Sequence, residues 1–297
     1  DSLNFKTGDL AFDGWLRWVG LQPTLRKIFG CSFLPDFDYG KGGKGWRDLW
    51  QDCLSLLLTN PKNIRPLITS NFSGVRIDGT NATIVTKKLG YFISDRNKIS
   101  RVWMDHGLWP YFTLELYINQ TGDIDILLEK TTYFRDSQLM RAKEIDFNWD
   151  GAYNLKTKNG KIYKGTVLEH ILIEHLVQFF NVGPHNCIRL ENADWNDGLD
   201  MAAEKGESVA FSSFYAYNLK KIAQALEKLK EIRKIRYLYL LKEMSILIDT
   251  PNKSIDYNSA SKKTRLLNKY LDSVKCNISG KTIKIKIDKV IEDLERK

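Results

Sequence analysis

The chain has 297 residues, 43% hydrophobic and 27% charged, enough for a sizeable core in one large domain or two ordinary ones. It holds no run of eighteen apolar residues and opens on no charged-then-apolar leader, so neither a membrane-spanning helix nor a secretion signal is expected. The net charge of +9 argues little for nucleic acid: residues 220–297 carry 20 Lys and Arg against 10 Asp and Glu, and the remaining 219 carry 25 against 26, so a lysine-rich helical face accounts for the excess.

Taken in order, residues 10–30 mix aromatic and aliphatic positions with charges. Phe12, Trp15, Leu16, Trp18 and Val19 cannot all face water, so this segment is expected to be packed onto something. Residues 31–45 form a glycine-rich approach, Asp38-Tyr39-Gly40-Lys41-Gly42-Gly43-Lys44-Gly45, which lacks the spacing of a phosphate-binding loop. Trp46, Leu49, Trp50, Cys53, Leu54 and Leu57 then follow helical spacing and predict an amphipathic helix. Arg47 and Gln51, and Asp48 and Asp52, lie four apart and off its apolar stripe. They suit either a solvated face with local ion pairs or a polar helix start pointing into a cleft.

Residues 75–100 read as a loop or small hairpin, and 103–120 as a buried helix with a polar start holding Asp105 and His106. A further helix is predicted over about 124–141, and a polar loop over 146–165. Residues 166–181 carry a clean apolar stripe, with His170 and His175 in structural roles. Helices follow at about 208–219 and 220–247, then, past Pro251, at 260–274. Ile283, Ile285 and Ile287 alternate like a strand before a last helical pattern at 290–294. Cys31, Cys53, Cys187 and Cys276 are scattered and show no Cys-x-x-Cys spacing, so no metal site is expected and a reduced, cytoplasmic setting is.

One stretch fits none of these periods. Asn192-Ala193-Asp194-Trp195-Asn196-Asp197-Gly198-Leu199-Asp200 sets three carboxylates, amides and a tryptophan within a loop. A pyranose ring, with an apolar face and a polar rim, matches that mixture. An Asp/Asn-rich turn capping the next helix is the plainer alternative.

The run Ala193-Asp194-Trp195-Asn196-Asp197-Gly198-Leu199, followed by Gly206-Glu207-Ser208, resembles the signature of the inverting phosphorylases of glycoside hydrolase family 94. Gly45-Trp46-Arg47-Asp48-Leu49-Trp50-Gln51-Asp52 and Asp105-His106-Gly107-Leu108-Trp109 match in the same order. The wording is most similar to the 1,2-β-oligoglucan phosphorylases in Gly74-Val75-Arg76-Ile77-Asp78-Gly79-Thr80-Asn81-Ala82-Thr83, His185-Asn186-Cys187-Ile188-Arg189-Leu190 and Gly206-Glu207-Ser208-Val209-Ala210-Phe211.

The resemblance implies an all-α (α/α)6 barrel over residues 1–297, incomplete because the family's N-terminal β-sandwich and C-terminal part are expected outside this chain. It implies a cytoplasmic enzyme that cleaves β-glucan with inorganic phosphate and releases α-glucose 1-phosphate. Asp197 matches the general acid. Arg47, Asp48, Asp52 and Trp195 would hold the sugar, with His106 a further substrate contact. Lys41 and Lys44 stand near positions where some relatives carry arginine. No cofactor or metal is implied beyond phosphate as co-substrate, and the expected partners are a β-glucan oligosaccharide and phosphate, with a homodimer open to the full-length form. Hydrolysis on the same barrel, with Glu207 or Asp200 as base, and a non-catalytic carbohydrate-binding fragment are the rival readings.

Overall fold

The computed structural model describes residues 4–29, 44–59, 61, 63–86, 88–94, 102–192, 196–249 and 254–297, with the side chains of 26–29, 44, 59, 197 and 200 excepted. Its helices are α1 (Leu10–Phe29), α2 (Trp46–Thr59), α3 (Ile64–Asn71), α4 (Leu108–Thr121), α5 (Val167–Phe180), α6 (Asp197–Asp200), α7 (Val209–Arg233), α8 (Ala260–Val274) and α9 (Ile287–Arg296). Helix starts follow local chemistry. Thr166 accepts the Glu169 amide at 3.1 Å to begin α5, and Ser208 accepts the Phe211 amide at 3.1 Å to begin α7. Gly122, at φ 74°, closes α4 in the left-handed conformation a side chain would resist.

The strands are short and form hairpin-like pairs. β1 (Lys44–Gly45), β2 (Ile84–Val85) and β3 (Phe92–Ile93) make one antiparallel sheet, with Gly45 opposite Ile84 and Ile84 opposite Ile93. β4 (Lys130–Thr132) pairs with β7 (Lys164–Thr166), β5 (Gln138–Leu139) with β6 (Glu144–Ile145), and β8 (Ile188–Arg189) with β9 (Glu207–Ser208). β10 (Tyr237–Leu241) pairs antiparallel with β11 (Thr282–Lys286), Leu240 opposite Ile283.

The molecule is helical with small sheets, and α5 runs through its middle. Every position of α5 except Phe179 is buried, and α4, α7 and α8 lie against it. Trp50, Ile68, Phe72, Ile171, Leu172, Leu176 and Leu226 are among the residues sealed in this core. Burying an aliphatic or aromatic side chain of this kind contributes roughly 1.5–3 kcal/mol.

Three expectations change. Residues 124–141 are not a helix: a short 3-10 turn at Ile124–Leu128 leads into β4 and β5. The β-branched and aromatic run Thr131-Thr132-Tyr133 favours a strand once it has β7 to pair with. The two helices expected at 208–219 and 220–247 are one helix, α7, which stops at Lys234 in the left-handed conformation (φ 53°). Tyr237-Leu238-Tyr239-Leu240 then alternates exposed and buried side chains against β11. In α1 the aromatic face stays open, with Trp15 and Trp18 both more than half exposed, although α1 touches α2.

Candidate functional site

The segment between Val102 and Leu108 gathers elements that are far apart in sequence. The Trp46 amide donates to Thr83 O at 2.9 Å, and its indole Nε1 donates to His106 O at 3.1 Å. That fixes the first turn of α2, so Arg47 meets Asp105 through two contacts, Nε to Oδ2 at 2.6 Å and Nη2 to Oδ1 at 3.1 Å. Trp109 Nε1 donates to the same Asp105 Oδ2 at 3.1 Å, and the guanidinium lies 5.0 Å from the Trp103 ring centroid. Arg47 keeps 21% of its side chain exposed while Asp105 keeps 4%. The pair is therefore anchored from below and open on the arginine side. On the polar face of α2, Arg47 reaches across 58 positions to Asp105. Asp48 is half-buried, and Asp52 is buried one turn further on.

His106 is also buried. Asn81 Nδ2 lies 3.1 Å from its Nδ1, so the amide donates and the imidazole proton sits on Nε2. Burial lowers its pKa to about 4; Asp105 opposes that shift and Arg47 adds to it. At neutral pH His106 is thus an uncharged donor, and Nε2 has no hydrogen-bond partner among the described residues.

Asn81 belongs to a loop built on two arginines. Arg76 grips Asp136 through Nε at 3.2 Å and through a shorter Nη2 contact, and also donates to Asn81 O. Burial raises the Asp136 pKa, but Arg76, Ser94 and the Gln138 amide together hold it below the usual range. Asp78 Oδ2 accepts the Arg141 amide at 2.8 Å. The Arg141 side chain reaches Glu191 at 2.6 Å and Gln178 of α5 at 2.9 Å. Met140, Arg141 and Ala142 are consecutive left-handed residues (φ 53°, 58° and 61°). Such conformations cost of order 1–3 kcal/mol each and persist where surrounding contacts over-determine them.

Glu191 immediately precedes the stretch singled out by composition. Trp103 and Glu191 form an antiparallel bridge, and the Asn192 amide donates to Val102 O at 3.0 Å. Ala193, Asp194 and Trp195 lie outside the described residues, as do Lys41 and the rest of the glycine approach before Lys44. Asn196 Oδ1 then accepts the amides of Gly198 at 3.0 Å and Leu199 at 3.2 Å, which makes Asp197 the first residue of α6. The expected turn capping a helix is therefore present, and the expected acid stands on it. β9 follows, and Glu207 is spoken for: it accepts His185 Nδ1 at 2.6 Å and the Cys187 amide at 3.1 Å. Burial raises its pKa, but these donors outweigh that and keep it low. α7 closes the ring, with Tyr215 OH donating to Met104 O at 2.7 Å and Asn218 Nδ2 to Leu108 O at 3.2 Å.

Of the expected site residues, Arg47 and His106 are brought together on the 102–109 segment. The backbone at 192 and 196–200 adjoins it in sequence, and the side chain of Asp197 and all of Trp195 lie outside the described residues. Arg141, Glu191, Gln178 and Tyr215 were not anticipated. Arg141 carried no signal, since its stretch reads as helix. His170 lies between the Thr166 and Thr132 carbonyls, and His175 donates through Nδ1 to the Ile171 carbonyl while its Nε2 accepts from Asn218 Nδ2, as structural histidines do.

Residues 150–252 match the model of the glycosyl hydrolase 94 superfamily, catalytic domain, a span that includes α5, α6 and α7. The match supports the family resemblance. The chain is also similar to cyclic beta-(1,2)-glucan synthase NdvB of Rhizobium meliloti (strain 1021), 25% identical over 215 residues. That alignment covers 69% of this chain and 7% of the relative, so the chain spans a small part of the length of the protein it resembles. Among the described residues, no helix is long and apolar enough to cross a membrane.

Proposed function

We propose that this chain is the catalytic part of an inverting β-glucan phosphorylase, acting on β-1,2-linked oligoglucan in the cytoplasm from an (α/α)6 barrel. In this reading Asp197 donates its proton to the glycosidic oxygen. A phosphate oxygen attacks the anomeric carbon from the opposite face, the carbon–oxygen bond to the leaving glucan breaks, and α-glucose 1-phosphate forms. Asp197 ends as a carboxylate and regains a proton from solvent. Arg47, supported by Asp105, holds hydroxyls of the terminal glucose, with Asp48, Asp52, Trp195 and His106 around it.

The observation that carries the reading is convergence. Arg47 at the start of α2, His106 before α4 and the 191–192 backbone that leads to Asp197 are all tied to one seven-residue segment. A second observation favours phosphorolysis over hydrolysis with Glu207 as base. An inverting hydrolase needs a base to activate water, and Glu207 is already occupied by His185 and Cys187. Phosphate is itself an anionic nucleophile and needs no such base. Protonation of Asp197 at neutral pH calls for burial by substrate and neighbouring carboxylates such as Asp194.

The test is incubation of the full-length parent with β-1,2-, β-1,3- and β-1,4-glucans, with and without phosphate. Glucose 1-phosphate should appear only with phosphate and fastest from the β-1,2 glucan. Asp197→Asn should lower turnover by ~10²-fold or more. Reducing sugar released at the same rate without phosphate would replace this reading with hydrolysis.

A further inference from the structure

A second stretch repeats the residue types found at 192–200. Asp146-Phe147-Asn148-Trp149-Asp150-Gly151 again sets a tryptophan between an amide and carboxylates. It folds beside residues 276–277 around a cavity of about 160 Å³. None of the residues lining this cavity belongs to the 102–109 segment or to α2, α6 or α7. The volume is well below the roughly 300–1,000 Å³ of sites that take drug-sized ligands, so it has room for one ring.

Its walls are prepared for a neutral polyol. Trp149 is held in place before any ligand arrives: Nε1 donates to Ala152 O at 3.0 Å, and its ring meets Tyr153 edge-on at 5.3 Å. Tyr153 in turn stacks on Phe134 at 5.8 Å. The charges cancel in pairs, Arg135 with Asp146 at 2.6 Å and Lys156 with Asp150 at 2.5 Å. An anion would have to displace a carboxylate to find a cation here. The side-chain amides of Asn148, Asn154 and Asn277 line the open, solvent-exposed side of the cavity and make no hydrogen bond to protein among the described residues. Each carboxamide offers donors and an acceptor, the combination that vicinal hydroxyls require.

We propose that this cavity is a second carbohydrate site, taking one hexopyranose ring of a glucan against Trp149 with its hydroxyls on Asn148, Asn154 and Asn277. Pyranose recognition follows from the cavity itself, whereas the choice of glucan rests on the function proposed above. Held there, one part of a glucan raises the effective concentration of the rest at the candidate active site.

The test uses the whole chain labelled with 5-fluorotryptophan, with the Trp149 fluorine resonance assigned by its loss in Trp149→Phe. Methyl β-glucopyranoside, a β-1,2-linked glucotriose, methyl β-galactopyranoside and glycerol are titrated without phosphate. The glucosides should shift the Trp149 resonance saturably, and the Asn148→Ala/Asn154→Ala double variant should weaken the glucotriose by about tenfold. A resonance that no pyranoside moves, or that glycerol moves equally at the same concentration, overturns the site. Glucan turnover with Trp149 silent would sink this inference and spare the proposed function. Saturable binding of the galactoside alone, with no glucan turnover, would keep a pyranose site and sink the glucan reading.

Discussion

At the residue scale the decisive pair is Arg47–Asp105. Its two contacts, with Trp109 bound to the same carboxylate, make Asp105 a buried anion whose compensation comes from two other elements. Removing one partner of such a pair typically costs 3–5 kcal/mol. Because Arg47 is partly exposed, the lower end applies. Asp105→Ala should therefore destabilise the chain by about 3 kcal/mol in denaturant unfolding, and Asp105→Asn by less, since an amide oxygen still accepts from Trp109 or Arg47. The double variant Arg47→Ala/Asp105→Ala should lose much less than the sum of the singles. Additive losses would mean that the two side chains act independently. The two members were legible in the sequence as parts of matched blocks. Their union was not, because nothing in helical spacing signals a partner 58 positions away.

At the element scale, the loop at 76–81 sits on α5 through a glycine. Gly79 has φ +77°, and a Cβ there would stand 2.5 Å from the Val177 Cβ. Both effects oppose Gly79→Ala: a left-handed alanine costs about 1–2 kcal/mol, and overpacking a core typically adds about 1–3. The variant should lose roughly 3 kcal/mol in urea unfolding. It should also loosen Asn81 from His106, read as a chemical-shift change at the imidazole, because the whole loop must lift. Wild-type stability with an unmoved imidazole would show that the loop yields freely. Sequence periodicity found α2, α4, α5, α8 and α9, and split α7 into two helices. It failed at 124–141, where Ile124, Leu127 and Leu128 imitate one helical turn while Thr131 and Thr132 pair with Gly165 and Lys164. It failed again at 237–241, where the exposed–buried alternation was present but was overrun by the long charged helix before it.

At the scale of the whole molecule, the core is unusual in what it seals in. His106, His170 and His175 are buried, and burial lowers each pKa to about 4. Burial raises Glu169, against the donors Tyr133, Tyr163 and the Leu241 amide, and raises Glu174 well above the usual range. Neither Glu174 oxygen has a hydrogen-bond partner among the described residues. These groups were visible in the sequence as letters on an apolar stripe, but their titration depends on depth, which spacing does not report. The two sets act in opposite directions. A buried histidine with a depressed pKa costs stability as pH falls below about 6.5, because only the unfolded chain takes up the proton. A buried glutamate with a raised pKa adds stability as pH falls through its folded value, because the folded chain takes up the proton first. Each proton of difference changes stability by about 1.4 kcal/mol per pH unit. The histidines therefore cost stability on the acid side, and the glutamates cost it as pH rises toward their raised folded values. In thermal melts Tm should fall from about pH 6.5 toward about pH 5, as the histidines of the unfolded chain take up protons. Glu174→Leu removes one unpartnered carboxyl and with it the loss of stability on the alkaline side, so its Tm should exceed wild type by more at about pH 8 than at about pH 5, with stability at pH 7 raised by about 1–3 kcal/mol as an uncompensated polar group leaves the core. A Tm difference between the variant and wild type that stays constant from about pH 5 to 8 would show that the buried glutamate is ionised and compensated in the folded chain.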